Sequence, residues 1–413
     1  MFNQKLQQKD SPISYRENVI KKKSFYKKKS FKIIMGILLV LAVSGGVFAW
    51  KANTVLTKIS GGGIFGSLSH MIPGVSDELK GEKDGRINFA ILGMRGADLP
   101  GGGTLADSIV VVSIVPKENK VSMISVPRDL YVTVPGTSDK QKINAVHAYG
   151  EENGKGKGME NMKIILGEVL GIPIHYAASI NFTGFKQLVN AIGGVEITLD
   201  KPFDESMQFN EEHVCDSFFT IRTGNWENKI VKSHVTNAAG VSVVVKRKVP
   251  KYPLCTAPKD TLECGGEFKL PAGKQTLDGE KALCYVRSRK TSSDFERAKR
   301  QQQVIQLVKD KMLSIGTLAD FSKINGIMDS LGDNVRTDMQ AWEMRKFYDL
   351  YKTIPQAQIY QRVLENSEEG FLYNPEGGAA GYILLPIGDN YNKIHEMVKN
   401  IFTIAPQTDI KPK

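Results

Sequence analysis

Arginine recurs in this chain at a spacing that suits an anion. The stretch Ala282-Leu283-Cys284-Tyr285-Val286-Arg287-Ser288-Arg289 runs on to Asp294-Phe295-Glu296-Arg297-Ala298-Lys299-Arg300-Gln301-Gln302. Read locally, Leu283 to Arg289 is a short strand whose alternation puts Tyr285, Arg287 and Arg289 on one face. Asp294 is then placed to N-cap a helix carrying Arg297 and Arg300 on one side of its first turns. Two guanidinium pairs would converge near a helix N-terminus, where free backbone N–H groups and the helix dipole favour an anion. The planar fork of arginine suits phosphate oxygens better than the point charge of lysine. The competing reading is a solvated basic helix face.

The elements that must position these residues alternate between strand and helix patterns. Ile87 to Leu92 reads as a first strand, followed by a glycine-rich loop holding Gly93, Gly96, Gly101, Gly102 and Gly103. Ile109 to Val115 and Val121 to Val126 are near-continuous apolar runs, the mark of strands buried on both faces, joined by a short hairpin connection. Met159, Met162, Leu166 and Val169 keep a helical stripe that stops at Gly171, and Phe182, Phe185, Val189 and Ile192 keep another that stops at Gly193-Gly194. Strands are expected at Ile174 to Ile180, Val195 to Leu199 and Gly381 to Leu385. Thr337 with Gln340 predicts a capping box for a helix that buries Phe347, Leu350, Tyr351 and Ile354. A final helix is expected from Tyr391 to Phe402. This order describes an α/β layered domain with a mixed sheet, from about residue 84 to 402, before a tail over 403–413. Residues 204–268 are polar and strand-tinged, and read as an insertion.

The chain has 413 residues and a formal net charge of +11. Residues 1–32 alone carry +8, so the charge describes a basic arm rather than a nucleic-acid-binding body, and no nucleic-acid partner is expected. Ile33 to Trp50 then runs eighteen residues without a charge. As a helix it is roughly 27 Å long, enough for a hydrocarbon core of about 30 Å. The positive-inside rule keeps the arm cytoplasmic and sends the rest outside, giving a single-pass cell-membrane protein. A cleaved signal peptide competes with this reading, but Phe48 and Trp50 make a poor cleavage site around Ala49. Residues 51–83, with Gly61-Gly62-Gly63 and Pro73-Gly74, read as a stalk. The four cysteines lack C-x-x-C spacing, which argues against structural zinc. Cys255 and Cys264 are placed to close a short disulfide loop with Cys215 as a competing partner, and Cys284 reads as a packed thiol.

Asp107, between the glycine-rich loop and a buried strand, is the most pointed carboxylate. Beside an arginine cluster it would suit a Mg²⁺–diphosphate complex, since that ion takes carboxylate and phosphate oxygens together; a turn or cap aspartate is the alternative. No Gly-Lys-Ser/Thr closes the glycine loop, no H-E-x-x-H or G-x-S-x-G occurs, and His147 and His175 stand alone as structural groups. Nucleotide hydrolase, zinc protease and lipase chemistries have no support.

The ordered set Ile91-Leu92-Gly93, Ala106-Asp107-Ser108, Val126-Pro127-Arg128-Asp129, Lys142-Ile143-Asn144-Ala145, Gly193-Gly194-Val195, Leu277-Asp278-Gly279 and Tyr285-Val286-Arg287-Ser288-Arg289…Asp294…Arg297…Arg300-Gln301-Gln302 resembles the LytR-CpsA-Psr family over residues 85–312. The resemblance implies an α/β/α fold with a central mixed sheet, a hydrophobic groove for a polyprenyl chain, and a diphosphate site with Mg²⁺, or Mn²⁺ in its place. It implies that Asp107 serves the metal and that Arg128, Arg287, Arg289, Arg297 and Arg300, with Gln301, serve the diphosphate; Asp107, Arg128 and Arg287 would be catalytic. The implied reaction moves a glycopolymer from a polyprenyl-diphosphate carrier to a peptidoglycan hydroxyl, with pyrophosphatase activity on the side. A non-catalytic polyprenyl-phosphate scaffold or envelope regulator is the alternative. One departure stands out: the family usually has a second metal-site aspartate two residues after the first strand's glycine, where this chain has Arg95. Asp98, in the longer loop, is the candidate substitute.

Overall fold

Apolar β-branched runs set the centre of the molecule. Strands β1 (Ile87–Met94) and β2 (Ala106–Val115) pair antiparallel, and β3 (Lys120–Ser125) continues the meander. A short ribbon of β4 (Tyr131–Thr133) and β5 (Lys140–Lys142) leads into helices α1 (Ile143–Glu152) and α2 (Lys157–Leu170). Gly171, left-handed at φ 67°, ends α2, as its position after the apolar stripe predicts. Strand β6 (Tyr176–Asn181) returns parallel to β1, and Asn181 caps α3 (Phe182–Ala191) by accepting from the Gly184 N–H at 2.8 Å. The described residues are 78–97, 103–209, 213–214, 221–236, 242–256, 264, 268–289, 291–314, 327, 330–354, 357–367, 370–375 and 381–405 of a computed structural model. The expected transmembrane segment Ile33–Trp50, most of the stalk and Asp98 lie outside them. No helix among the described residues is long and apolar enough to cross a membrane.

Beyond α3 come β7 (Val195–Leu199), β8 (Phe203–Asp204) and the single turn α4 (Ser206–Phe209). The expected insertion contains β9 (His213–Val214) and a long hairpin of β10 (Ile221–Thr236) and β11 (Ser242–Thr256). Strands β12 (Lys269–Leu270) and β13 (Gly273–Leu277) pair back onto β8 and β7. Two helices, α5 (Gly279–Arg287) and α6 (Asp294–Ser314), then carry the arginines. Strand β14 (Val335–Thr337), helix α7 (Ala341–Lys352), strand β15 (Gln358–Val363), the pair β16 (Leu372–Tyr373) and β17 (Leu385–Pro386), and helix α8 (Asn392–Lys399) complete the described chain.

The main sheet has the order β14-β6-β1-β2-β3-β15, with parallel and antiparallel pairs, so the mixed sheet expected from the sequence is present. One face buries Ala90, Leu92 and Met94 against Val146, Met162 and Leu166 of α1 and α2 and Ile394 and Val398 of α8. On the other face Ile87 and Phe89 meet Phe347 and Leu350 of α7, while Val189, Leu283 and Val304 join α3, α5 and α6. Gln302 of α6, fully buried, donates to Ser125 Oγ at 2.8 Å and to the Arg362 carbonyl at 3.0 Å, fixing that helix over β3 and β15. His147 and His175 are structural, as expected. His147 Nδ1 lies 2.9 Å from the Thr104 carbonyl, and His175 Nδ1 accepts from the Asn88 N–H at 3.0 Å.

Four local expectations are corrected. Leu283–Arg289 is not a strand: Asp278 accepts from the Lys281 N–H at 2.8 Å and starts α5, whose continuous buried run Ala282–Val286 is as short as a buried strand's. Helix α6 is capped by Ser293, whose Oγ accepts from the Glu296 N–H at 3.1 Å, leaving the Asp294 carboxylate for arginine. At the start of α7 the Gln340 N–H donates to Glu343 Oε2 at 2.7 Å, and Thr337 instead donates its hydroxyl to the Ala177 carbonyl. Cys284 is not a thiol but pairs with Cys264, tying residue 264 to α5.

Helix α5 lies so close to α3 that a Cβ at Gly279 would meet the Lys186 carbonyl oxygen at 2.3 Å and its Cα at 2.7 Å. Backbone cannot retreat as a side chain can. Gly279→Ala is therefore expected to destabilise the protein by about 1–3 kcal/mol, whereas Gly103→Ala, with nothing within 4 Å, should cost less than about 0.5 kcal/mol. Denaturant titration of the two variants checks this.

Candidate functional site

A break in strand pairing aims the carboxylate. Gly93 pairs with Ser108 but Met94 pairs with Ala106, so Asp107 is the extra residue of a β-bulge at the end of β1 and β2. A bulge redirects its side chain out of the regular alternation. Gly93 permits it, since a Cβ there would lie 3.0 Å from the Ser108 Cβ. Asp107 Oδ1 accepts from Arg128 Nη1 at 3.0 Å, and Arg128 Nε stands 3.6 Å from Asp129, which also holds Lys142 at 2.7 Å. Burial would lower the Arg128 pKa, but the carboxylates of Asp107, Asp129 and Asp294 outweigh it and raise the value.

Arg287 is the last residue of α5, with its guanidinium over the Phe182 ring at 4.7 Å. Gln208 of α4 grips the segment after it, donating to the Arg287 carbonyl at 3.0 Å and accepting from the Arg289 N–H at 2.7 Å. Buried Glu205 does the same one turn on, accepting from the Thr291 N–H and hydroxyl at 2.8 and 2.9 Å. Asp294 Oδ1 bridges Arg297 at 2.9 Å and Arg289 at 3.3 Å. The Arg297 pKa is pushed down by burial and by its neighbours Arg128 and Arg289, with Asp294 opposing. Its charge is thus held where further positive charge is unwelcome and an anion is favoured.

These side chains line one cavity of about 320 Å³. Arg95, Arg128, Arg287, Arg289 and Arg297 contribute its cationic part, with Asp107, Ser108 and Gln301. Gln301 is fixed there by the Ser108 hydroxyl, which donates to it at 2.8 Å. The remaining wall is apolar, including Ile91, Ile180, Phe182, Phe185, Leu283 and Val304. Of the expected diphosphate ligands, Arg300 alone does not line the cavity. It turns away to donate to the Ser288 carbonyl and to Ser292 Oγ at 2.9 Å, and lies over the Phe203 ring at 5.4 Å. Of the apolar stripes, Phe182 and Phe185 face the cavity, whereas Met162 and Leu166 are core. Gln208 and Glu205 escaped sequence reasoning because they stand some eighty residues before the segment they hold, inside what reads as an insertion.

The resemblance calls for a divalent cation here. Among the described residues Asp107 is the one carboxylate lining this cavity, and one of its oxygens is engaged by Arg128. Asp129 and Asp294 reach a smaller adjoining cleft with Asp107, but each is held by cationic side chains. No group of three or more His, Cys, Asp or Glu among the described residues is arranged to hold a metal. The described donor set does not fit a protein-held Mg²⁺.

A family model described as the LytR_cpsA_psr family matches residues 67–376. The polyisoprenyl-teichoic acid–peptidoglycan teichoic acid transferase TagT of Bacillus subtilis (strain 168) is 26% identical over 391 residues, covering 92% of this chain and 96% of the relative. The corresponding TagU of Enterococcus faecalis is 25% identical over 335 residues, covering 77% and 82%. Among solved structures, the Enterococcus faecalis protein EF0465, described as a transcriptional regulator, is similar with a TM-score of 0.50 at 22% identity, over 80% of this chain and 92% of that one. That likeness concerns the fold alone. With three quarters of its length matched by the family model, the chain belongs to the LytR-CpsA-Psr family.

Proposed function

We propose that this protein is a membrane-anchored phosphotransferase that moves a glycopolymer from a polyprenyl-diphosphate carrier to a peptidoglycan hydroxyl. One observation carries the reading: five guanidinium groups and an apolar wall share a single cavity, the form of an anionic head joined to a hydrocarbon tail. The names of the TagT and TagU relatives supply the substrate class. The basic arm and the uncharged run Ile33–Trp50 support an anchor with the catalytic domain outside the cell.

In the proposed reaction the acceptor oxygen attacks the phosphorus on the glycan side. The bridging P–O bond breaks, its electron pair leaves with polyprenyl phosphate, and a glycan–phosphodiester–peptidoglycan link forms. Phosphoryl transfer depends on position and charge neutralisation rather than covalent catalysis. Arg128, Arg287, Arg289 and Arg297 hold the diphosphate and offset charge on the leaving oxygen, and Gln301 adds a fixed amide. Asp107, half-exposed at the bulge, accepts the hydroxyl proton or orients the hydroxyl. Arg300 secures the loop between α5 and α6 instead of touching substrate.

The deciding experiment supplies the purified protein with a polyprenyl-diphosphate glycan and peptidoglycan. Wild type is expected to release polyprenyl phosphate and label the peptidoglycan. Arg287→Ala and Asp107→Ala should each lower turnover by at least about 100-fold. Lipid binding without transfer, across several donors, replaces this reading with the scaffold one. A second test concerns positioning. Gln208→Ala frees the Arg287–Arg289 backbone without removing a charge, and should weaken diphosphate binding by about tenfold in calorimetric titration. Arg300→Ala should act instead on melting temperature.

A further inference from the structure

We infer that Arg95 supplies, within the protein, the positive charge that a divalent cation would bring to the diphosphate, so that this site binds its substrate without metal. The inference rests on the proposed function and specifies how that site meets its ligand's charge.

Arg95 follows β1 directly, one residue past Met94, which pairs with Ala106 beside the bulged Asp107. The end of the sheet therefore brings Arg95 and Asp107 to one cavity. The Arg95 carbonyl accepts from the Phe182 N–H at 3.4 Å, which ties its backbone to the start of α3. Phe182 is also the ring beneath Arg287. Arg95 is thus anchored on the residue that carries a principal arginine of the clamp, and its side chain lines the same cavity.

The charges decide the rest. Among the described residues, five arginines and one carboxylate line the cavity, and that carboxylate is bonded to Arg128. Mg²⁺ dehydrates reluctantly, and sites for it use one or two carboxylates together with substrate phosphates. Among the described residues, an added dication would meet a field dominated by like charge and a single, partly engaged carboxylate. A diphosphate diester brings two negative charges, which the guanidiniums neutralise through charge-assisted, bidentate hydrogen bonds.

The test uses the full chain in detergent micelles with farnesyl diphosphate as probe, titrated calorimetrically with EDTA or with Mg²⁺. The expected result is that wild type binds in EDTA within about twofold of its affinity in Mg²⁺, while Arg95→Gln loses about ten- to a hundredfold in EDTA. Arg95→Lys, which retains the charge, should recover part of that loss. Arg95→Asp should bind weakly in EDTA and regain affinity when Mg²⁺ is added. Melting temperatures confirm that the variants compared are folded, and Arg95→Lys serves if the others are not. Wild-type binding that requires Mg²⁺ overturns the inference and leaves the proposed function standing. Equal binding by wild type and Arg95→Gln in EDTA overturns the role of Arg95. Failure of wild type to bind the probe in either condition removes the anion site and the proposed function with it.

Discussion

Holding like charges together is the constraint on which the rest of this structure depends. Unit charges ~4 Å apart repel by about 4 kcal/mol at an effective dielectric of roughly 20, and five guanidiniums line one cavity here. The protein answers with carboxylates placed behind the arginines. Asp294 is shared by Arg289 and Arg297, Asp107 engages Arg128, and Asp129 joins Arg128 to Lys142. Such pairing fixes guanidiniums that would otherwise spread into solvent, and five of them on one wall still favour an anion over a further cation. The Arg297 pKa is pushed down first by burial and then by Arg128 and Arg289, with Asp294 opposing. Pre-organised charge of this kind is what phosphoryl transfer needs, because reorganisation at the moment of reaction is what costs.

Those pairs keep their geometry only because rigid elements carry them. The β1–β2 ladder sets Asp107 at its bulge, and the same sheet, through β3, sets Arg128. The opposing arginines come from α5 and α6, which need their own registration. Helix α5 gains it from glycine-close packing on α3 and from the Cys264–Cys284 bond, α6 from buried Gln302 on β3 and β15. Between the two helices Gln208 and Glu205 hold the loop that presents Arg289 and Thr291. The region read as an insertion is therefore no appendage at either end: its first residues brace the clamp, and Cys264 bonds to the helix that bears Arg287.

Much of this was legible in the sequence, and the limits have physical causes. The central strands and α2 show because β-branched runs and a glycine-stopped stripe are local signals, and the mixed sheet follows from their order. Of the arginines that meet in the cavity, Arg287, Arg289 and Arg297 follow from type and spacing, whereas Arg128 and Arg95 are singled out only by the family resemblance. The route differed, because Arg287 ends helix α5 and Arg289 follows two residues later, rather than both alternating along a strand. Helix α5 was misread because its apolar run Ala282–Val286 is short and continuous, a pattern that a buried strand and a buried helix share, although Asp278-Gly279-Glu280 is a start signal. Arg300 was misplaced because spacing along a helix gives a face, not what that face meets. It meets the Ser288 carbonyl and Phe203. Cystine pairing and the Gln208 brace are long-range, and no local pattern encodes them.

The two clefts around Asp107 also bear on the direction of the proposed transfer. The larger has the apolar wall, so the hydrocarbon of a lipid-linked donor belongs there and the phosphate nearest the lipid stays among the arginines. The smaller shares Asp107, Ser108, Arg128, Arg297 and Gln301 with it but is bounded on its other side by Phe295, Tyr382 and Leu384. Asp107 and Arg128 thus form a partition with a face to each cleft. Displacement at phosphorus is favoured when attacking and leaving oxygens lie roughly in line. In the proposed reaction, a leaving group retained on the lipid side would place the attacking hydroxyl across the partition, in the smaller cleft that Asp107 also lines. A regular strand would have turned Asp107 to one side of the sheet or the other. The bulge is what lets one carboxylate both pair with Arg128 and face the second cleft.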